Sequence, residues 1–155
     1  MSLESGKSLD EIGWRILCEL QENARLTFAE LGRRVGLSIP AVTERVRRME
    51  DAGIITGHRT EVNLAKVGLP VTAFIRLSLV GDVSPRLVTL FKETPEIFEC
   101  YRVTGGDSFI FQAHLASVAH LEALIDKFVP FGTTTTTIVL STVVARRTVE
   151  PPKKI

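Results

Sequence analysis

The stretch from Thr27 to Gly53, TFAELGRRVGLSIPAVTERVRRMEDAG, predicts two short helices joined by a tight turn. Thr27 and Glu30 form the pattern of a capping box that opens the first helix, and Gly36 supplies the left-handed residue that ends it. Ser38 can cap the second helix, and Gly53 can close it. Two capped helices around so short a turn are typical of a helix-turn-helix, a motif that reads DNA.

The second of these helices has one apolar face and one face rich in arginine. Val42, Val46 and Met49 recur at the spacing that keeps side chains on one side of a helix, so we expect them to pack on the first helix. The opposite face and its flanks would then meet DNA, because guanidinium groups bond guanine or grip phosphate. The candidate DNA-binding residues are Ser38, Pro40, Ala41, Thr43, Glu44, Arg45, Arg47 and Arg48, with Arg33 and Arg34 on the preceding helix as phosphate contacts.

Two alternative interpretations of these arginines stay open. An arginine-rich helix face is more often a solvated surface than a DNA reader, although the paired caps and the glycine turn favour DNA here. Arg45 lies on the flank of the face, where it could brace the helix by pairing with an acidic neighbour.

A third helix completes a first domain over residues 1–53. Ser8 and Glu11 form another capping-box pattern, and apolar residues of helical period follow them. Gly13 is unexpected inside this helix, since glycine costs about 1 kcal/mol there relative to alanine. From Ile54 and Ile55 onward, residues 54–70 have the character of a strand and a hinge, and we place the domain linker there.

Residues 71–155 predict a second domain with the order strand, helix, strand, strand, helix, strand. The predicted elements are a strand over 71–79, a helix from Ser84 and Pro85 to Thr94, strands over 97–103 and 109–115, a helix capped by Ser117, and a strand from Thr134 to Ala145. That order folds as a ferredoxin-like βαββαβ sandwich with both helices on one face of the sheet. The whole chain is therefore predicted to be α+β. The bare face of the sheet, with Phe74 on it, predicts a contact with a second copy.

Composition limits the function classes. The chain has 155 residues, a formal net charge of +1 and 45% hydrophobic residues, as expected for a globular protein with real cores. A charge so near zero argues against a polybasic, histone-like DNA binder and indicates a local basic patch. The sequence contains no apolar run typical of a membrane span or a signal peptide, so we expect a cytoplasmic protein with no membrane contact. Cys18 and Cys100 lack metal-like spacing, and we expect no metal, no cofactor and no catalytic residue.

The segment from Ser8 to His58, followed by LAKVGLP (64–70), CYRVTGGDSF (100–109) and FGTTTTTIVLST (131–142), resembles the Lrp/AsnC family of feast-or-famine transcription regulators. The resemblance covers nearly the whole chain. It implies a winged-helix-like helix-turn-helix head and a tail of the RAM type that forms homodimers and often octamers. In this family the tail binds amino acids or related metabolites, which alter assembly and DNA occupancy. The two heads of a dimer would read an approximately palindromic site on double-stranded DNA.

The resemblance also places an effector site in the second domain, across subunits. The implied residues are the turn Thr104, Gly105, Gly106, Asp107 and Ser108 and the threonines Thr133, Thr134, Thr135 and Thr136. Amides of a glycine turn can hold an α-carboxylate, and Asp107 can hold an α-ammonium group. Taken without the resemblance, the same residues are ordinary hairpin-turn and strand residues. Ser108 departs from the family pattern, since many members carry an acidic residue there.

Two other functions remain possible from the sequence. The same two-domain fold also resembles that of sirohaem-type tetrapyrrole decarboxylases, in which histidine and arginine act on the substrate, and this chain has His58, His114 and His120. These histidines lie on separate predicted elements without ligand-like spacing, and the arginine-bearing helix argues against an enzyme. An architectural DNA-binding protein with little sequence preference would keep the same helix, and its binding would fall steeply with salt on any DNA.

Overall fold

The computed structural model describes residues 9–152 and divides into two compact units. The first contains the residues up to Glu61 together with those from Val144 onward, and the second is Val62–Val143. We expected the second domain to keep every residue from 71 to 155, but the C-terminal residues group with the first unit. Within residues 9–152, no helix is long and apolar enough to cross a membrane.

The first unit is a helix-turn-helix built from three helices. They are α1 (Glu11–Glu22), α2 (Phe28–Val35) and α3 (Ile39–Asp51). The predicted caps are confirmed: the Thr27 hydroxyl accepts from the Glu30 amide at 3.2 Å, and the Ser38 hydroxyl accepts from the Ala41 amide at 3.4 Å. Gly36 ends α2 with a φ of 76°, which a side chain would disfavour. The core side chains are Ile16, Leu20, Leu31, Val35, Val42, Val46 and Met49.

The beginning of α1 differs from the expectation. Asp10, and not Ser8, is the cap residue, and its carboxylate accepts from the Gly13 amide at 2.8 Å. Ser8 lies outside the described residues. A Cβ on Gly13 would stand 3.0 Å from that same Asp10 oxygen. The unexpected glycine therefore gives the capping carboxylate room to approach the helix.

The strand predicted after α3 is wrong. Every residue from 54 to 70 is described, and the only regular element there is a 3-10 turn at Leu64–Val67. The amides of Ile54 and Ile55 both donate to the Met49 carbonyl, at 2.9 and 3.1 Å. These two residues therefore finish the C-terminal end of α3 and are not free to pair in a sheet.

The second unit is the predicted ferredoxin-like sandwich. Its elements are β1 (Val71–Leu79), α4 (Pro85–Glu93), β2 (Ile97–Arg102), β3 (Phe109–Leu115), α5 (Val118–Asp126) and β4 (Gly132–Ile138). The antiparallel sheet has the order β2-β3-β1-β4. Alternate residues of β1 and β3 are buried in one core with α4 and α5, as the period of two predicts. The other face of the sheet is left without a helix.

The last strand is shorter at its C-terminal end than the predicted range Thr134 to Ala145. β4 pairs with β1 from Gly132 opposite Leu79 to Ile138 opposite Ala73, and the Val139 amide makes a last bond to the Thr72 carbonyl at 2.9 Å. Because β1 begins at Val71, β4 has no further β1 backbone groups to bond beyond this point. The length of β1 sets the end of β4.

The C-terminal residues bind α1 through the side chain of Gln21. Its amide oxygen accepts from the Val149 amide at 2.8 Å, and its amide nitrogen donates to the Val149 carbonyl at 3.1 Å. Both backbone groups of Val149 are thus satisfied by one glutamine. This contact explains why the C-terminal residues group with the helix-turn-helix.

Gly32 offers a test of the helix-turn-helix packing. A Cβ at this buried position would lie 2.6 Å from the Leu37 carbonyl oxygen and 3.5 Å from Val42. We expect Gly32→Ala to destabilise the first unit by about 1–3 kcal/mol, because the clash is with backbone. Thermal unfolding followed by circular dichroism would measure the loss. Gly106→Ala is the control, since a Cβ there meets nothing within 4 Å, and equal melting of both variants would contradict this packing.

Candidate DNA-binding face and ligand-binding corner

The inner face of α3 determines which residues the helix presents outward. Val42, Val46 and Met49 are buried in the core, as predicted. On the other side, Arg47 and Arg48 are exposed, while the remaining candidates lie at intermediate or full exposure. Those candidates are Ser38, Pro40, Ala41, Thr43 and Glu44. The Ser38 hydroxyl also accepts the capping hydrogen bond at the start of α3.

Glu44 stands at the centre of the outward face and binds both exposed arginines. Arg47 donates to its two oxygens through Nε and Nη2, each at 3.1 Å, and Arg48 Nε donates at 2.8 Å. Arg47 also contacts Asp51, with 3.2 Å between Nη1 and Oδ2. The hydrogen bonds from Arg47, then the one from Arg48, lower the pKa of Glu44 to about 2. The carboxylate is therefore ionised at any pH at which proteins bind DNA.

Two of the arginines predicted to contact DNA also join segments of the first unit. Arg45 Nη1 donates to both oxygens of Asp10, at 2.8 and 2.9 Å, which is the bracing role left open by the sequence. Arg34 pairs with Glu19 and Glu30, at 2.8 Å each. Arg33 is exposed and makes no ion pair with the residues that the structure describes. Among the basic candidates, Arg33, Arg47 and Arg48 are therefore the ones best placed to meet DNA.

In the second unit, the sheet brings three of the nine predicted effector residues to one corner of its helix-free face. The Ser78 hydroxyl donates to Asp107 Oδ1 at 3.0 Å, and Arg76 Nη1 lies 3.7 Å from Asp107 Oδ2. In the β1–β4 register, Thr133 is opposite Ser78 and Thr135 is opposite Arg76. Asp107, Thr133 and Thr135 therefore share one surface with two β1 side chains.

The other predicted effector residues are placed differently. Thr134 and Thr136 pair with Leu77 and Ile75, whose side chains are buried, so they lie on the helix side of the sheet. The Ser108 hydroxyl accepts from the Leu79 amide at 3.3 Å, which gives it a structural bond. Thr104, Gly105 and Gly106 form the exposed turn.

Sequence reasoning missed Arg76 and Ser78 as members of this corner. The alternation along β1 places both on the outward face. Only the pairing of β1 with β4, and the contact with the turn before β3, bring them beside Asp107. We name these five residues, Arg76, Ser78, Asp107, Thr133 and Thr135, the candidate ligand-binding corner.

Concave surface lies elsewhere on each unit. A cleft of about 420 Å³ lies on α1, lined by Trp14, Cys18 and Pro151 among others. A second, of about 440 Å³, lies by α4 and α5, where Arg86 and Phe131 contribute to its wall. Neither cleft is lined by that corner, where Arg76, Thr133 and Thr135 are exposed and Ser78 and Asp107 are half-buried.

The three histidines have different side-chain partners. His58 lies near Glu50, with 3.6 Å between Nε2 and Oε1. The His114 ring bonds the Thr72 hydroxyl at 3.0 Å, and burial lowers its pKa. His120 bonds Glu96 at 2.9 Å. Each has its own local partner, and residues 9–152 contain no group of side chains arranged to hold a metal ion.

Comparison with known proteins extends these observations to nearly the whole chain. The winged helix-turn-helix DNA-binding family matches residues 9–56, and the Lrp/AsnC ligand binding domain matches residues 72–149. The transcriptional regulator LrpC of Bacillus subtilis is 35% identical over 133 residues, which cover 86% of this chain and 92% of LrpC.

Solved structures agree in fold. The structure of B. subtilis LrpC has a TM-score of 0.85 and 34% identity, and the match covers 90% of this chain and 100% of that one. A feast or famine regulatory protein of Mycobacterium tuberculosis, complexed with L-methionine, has a TM-score of 0.85 at 31% identity and covers 93% of this chain and 100% of its own. These similar proteins are named as regulators and not as enzymes.

The pH dependence of Glu44 tests the cluster on α3. Because its pKa is lowered from 4.5 to about 2, the stabilisation from its pairs is present above pH 4.5 and is lost as the pH falls toward 2. We expect the Glu44 carboxyl carbon to titrate near pH 2 by NMR, and Arg47→Ala with Arg48→Ala to move the midpoint back up. A midpoint near 4.5 in the unaltered protein would show that the pairs do not form in solution.

Proposed function

This chain belongs to the Lrp/AsnC family and is a DNA-binding transcriptional regulator, and we propose that the outward face of α3 reads its DNA site. We further propose that an amino acid or related metabolite binds at the candidate ligand-binding corner and changes assembly or DNA occupancy. The observation that carries the first proposal is the exposure of Arg47 and Arg48 on a helix whose opposite face is buried in the core.

The geometry of α3 suits the major groove. The groove admits one helix, and the N-terminal part of a recognition helix contacts base edges. Arginine can bond guanine O6 and N7 with both arms of its fork, and exposed residues early in the helix can approach bases closely. We assign DNA contact to Ser38, Pro40, Ala41, Thr43, Glu44, Arg47, Arg48 and Arg33, and a bracing role to Arg45 and Arg34.

We propose that the chain acts as a homodimer joined through the helix-free face of the sheet. Phe74, Phe98 and Tyr101 are 42%, 50% and 55% exposed, and exposed aromatic groups at this density favour a protein contact. Two heads related by a two-fold axis would read two half-sites about one helical turn apart, hence an approximately palindromic operator. As in the family, dimers would assemble to octamers, in the cytoplasm where the chromosome lies.

The candidate ligand-binding corner and the turn beside it together offer the two polarities that an amino acid requires. The exposed turn at Gly105 and Gly106 presents backbone amides for a carboxylate, and Asp107 presents a carboxylate for an ammonium group. Asp107 already accepts from Ser78 and lies 3.7 Å from Arg76, so these two side chains would fix its position. Three of the five corner residues are exposed in one chain, so a second copy would enclose the ligand. The L-methionine complex of the M. tuberculosis relative supports this class of effector.

Replacing both exposed arginines tests the DNA assignment. We expect Arg47→Ala with Arg48→Ala to weaken binding to a duplex selected from a random library by at least about 30-fold, since two arginine–base contacts of roughly 1–3 kcal/mol each sum to roughly 2–6 kcal/mol. Fluorescence anisotropy would measure affinity, and circular dichroism would confirm folding. Arg25→Ala is the control, because Arg25 is exposed in the same unit but lies before α2.

Unchanged binding by the double variant would remove α3 from the DNA interface. Selection that converges on no sequence, with wild-type binding equal on all duplexes and steeply dependent on salt, would identify an architectural DNA-binding protein instead.

The effector proposal has its own test. We expect Asp107→Ala to keep DNA affinity but to lose the response to added amino acids, because the ammonium partner is gone. Isothermal titration with pooled and then single amino acids would measure binding, and anisotropy would measure the effect on DNA. Asp82→Ala, an exposed aspartate of the same unit, is the matched control. An unaltered titration of Asp107→Ala would place the effector elsewhere.

A further inference from the structure

We propose that Glu44 sets the specificity of DNA binding by holding Arg47 and Arg48 until the correct bases replace it as their partner. This inference rests on the proposed function of α3 as the recognition helix. It goes further by giving the acidic residue of that face a task of its own, which is to suppress binding to unrelated DNA.

The arginines that would grip DNA are already engaged. Arg47 uses Nε and Nη2 on the two oxygens of Glu44, which is the same pair of donors that a guanine or a phosphate would take. Its remaining nitrogen, Nη1, lies 3.2 Å from Asp51. Arg48 spends its Nε on Glu44 at 2.8 Å. DNA must therefore displace Glu44 before it can bond Arg47 through this pair of donors or Arg48 through Nε.

The charge of α3 is balanced as well. Its basic residues are Arg45, Arg47 and Arg48, and its acidic residues are Glu44, Glu50 and Asp51. A helix with equal numbers of both signs has little net attraction for the phosphate backbone, which drives binding to unrelated DNA. The pKa of Glu44, at about 2, keeps the carboxylate charged throughout the physiological range.

Matched and unrelated DNA would then differ in the groups that replace Glu44 as partners of the arginines. On unrelated DNA, releasing the arginines leaves a carboxylate near phosphates, which repel it, and gives only phosphate contacts. On a matched site, guanine O6 and N7 replace Glu44 as partner of the arginine forks, and Glu44 can accept from a cytosine amino group. Discrimination thus comes from a repulsive element that only the correct sequence compensates.

Among the residues that the structure describes, the ion pairs of Glu44 do not connect α3 to another segment of the first unit. Arg45 joins α3 to Asp10, and Arg34 joins α2 to Glu19 of α1, so those pairs connect separate segments. The pairs of Glu44 stay within α3, three and four residues along the same helix. Removing the charge of Glu44 should therefore leave the fold intact.

The test compares Glu44→Gln with Glu50→Gln on the full chain. Glu50 is an exposed acid on the same helix whose contact is His58, so both changes remove one negative charge from α3. Affinity would be measured by fluorescence anisotropy on a duplex selected from a random library by the wild-type protein and on its scrambled counterpart, over a series of salt concentrations.

We expect Glu44→Gln to raise affinity for the scrambled duplex by about tenfold, since two arginines become free for phosphates. The slope of log affinity against log salt on that duplex should steepen by up to about 2 per head. Affinity for the selected duplex should stay level or fall, so the specificity ratio drops at least tenfold. Glu50→Gln should change the ratio little.

Three results would overturn the proposal. Equal effects of both variants would assign the change to net charge alone. An unaltered ratio in Glu44→Gln would show that the arginines reach DNA without displacing it, and weaker binding to both duplexes would make Glu44 a support for the contacts. Failure of the underlying assignment is separately visible, because the wild-type protein would then show no preferred duplex, or Arg47→Ala with Arg48→Ala would bind as well as wild type.

Discussion

The DNA-binding face depends on the burial of three side chains of α3. Val42, Val46 and Met49 are 0%, 3% and 5% exposed in the core of the helix-turn-helix, and burying each contributes about 1.5–3 kcal/mol. Rotation of α3 about its axis would expose this stripe and bury arginines. The core therefore fixes which side of the helix faces outward, and the pair between Arg45 and Asp10 ties that helix to the start of α1.

In the sheet of the second unit, burial of one face likewise determines which side chains point outward, with the period of two that a strand has. Burial of Ala73, Ile75 and Leu77 against α4 and α5 turns Arg76 and Ser78 to the helix-free face. Antiparallel pairing with β4 then sets Thr133 and Thr135 beside them. Both candidate sites are thus consequences of core packing, although neither site contains a core residue.

The sequence predicted well what depends on neighbours along the chain. The caps at Thr27 and Ser38 follow from a side chain bonding an amide three residues on, and the βαββαβ order follows from periodicity. The sequence predicted poorly those features in which two elements compete for the same backbone amides, or in which the partners lie far apart along the chain. Ile54 and Ile55 have strand-like side chains, but their amides are taken by the end of α3.

The same limit applies to the candidate sites. Nothing local indicates that Arg45 finds Asp10, which lies 35 residues away in sequence. The threonine run predicted a site as a block, while the pleat of β4 separates its members between two faces, and Arg76 and Ser78 join the corner only through strand register. Side-chain chemistry was therefore visible in the sequence, whereas the grouping of these side chains required the fold.

Methylation interference with dimethyl sulfate on the selected duplex would test most directly whether α3 reads bases. The reagent modifies guanine N7 in the major groove and adenine N3 in the minor groove, so one experiment reports on both. Recognition by α3 predicts that guanine N7 methylation in the two half-sites blocks binding, while adenine N3 methylation there does not. Interference confined to adenine N3, or absent from both grooves, would contradict base reading by this helix.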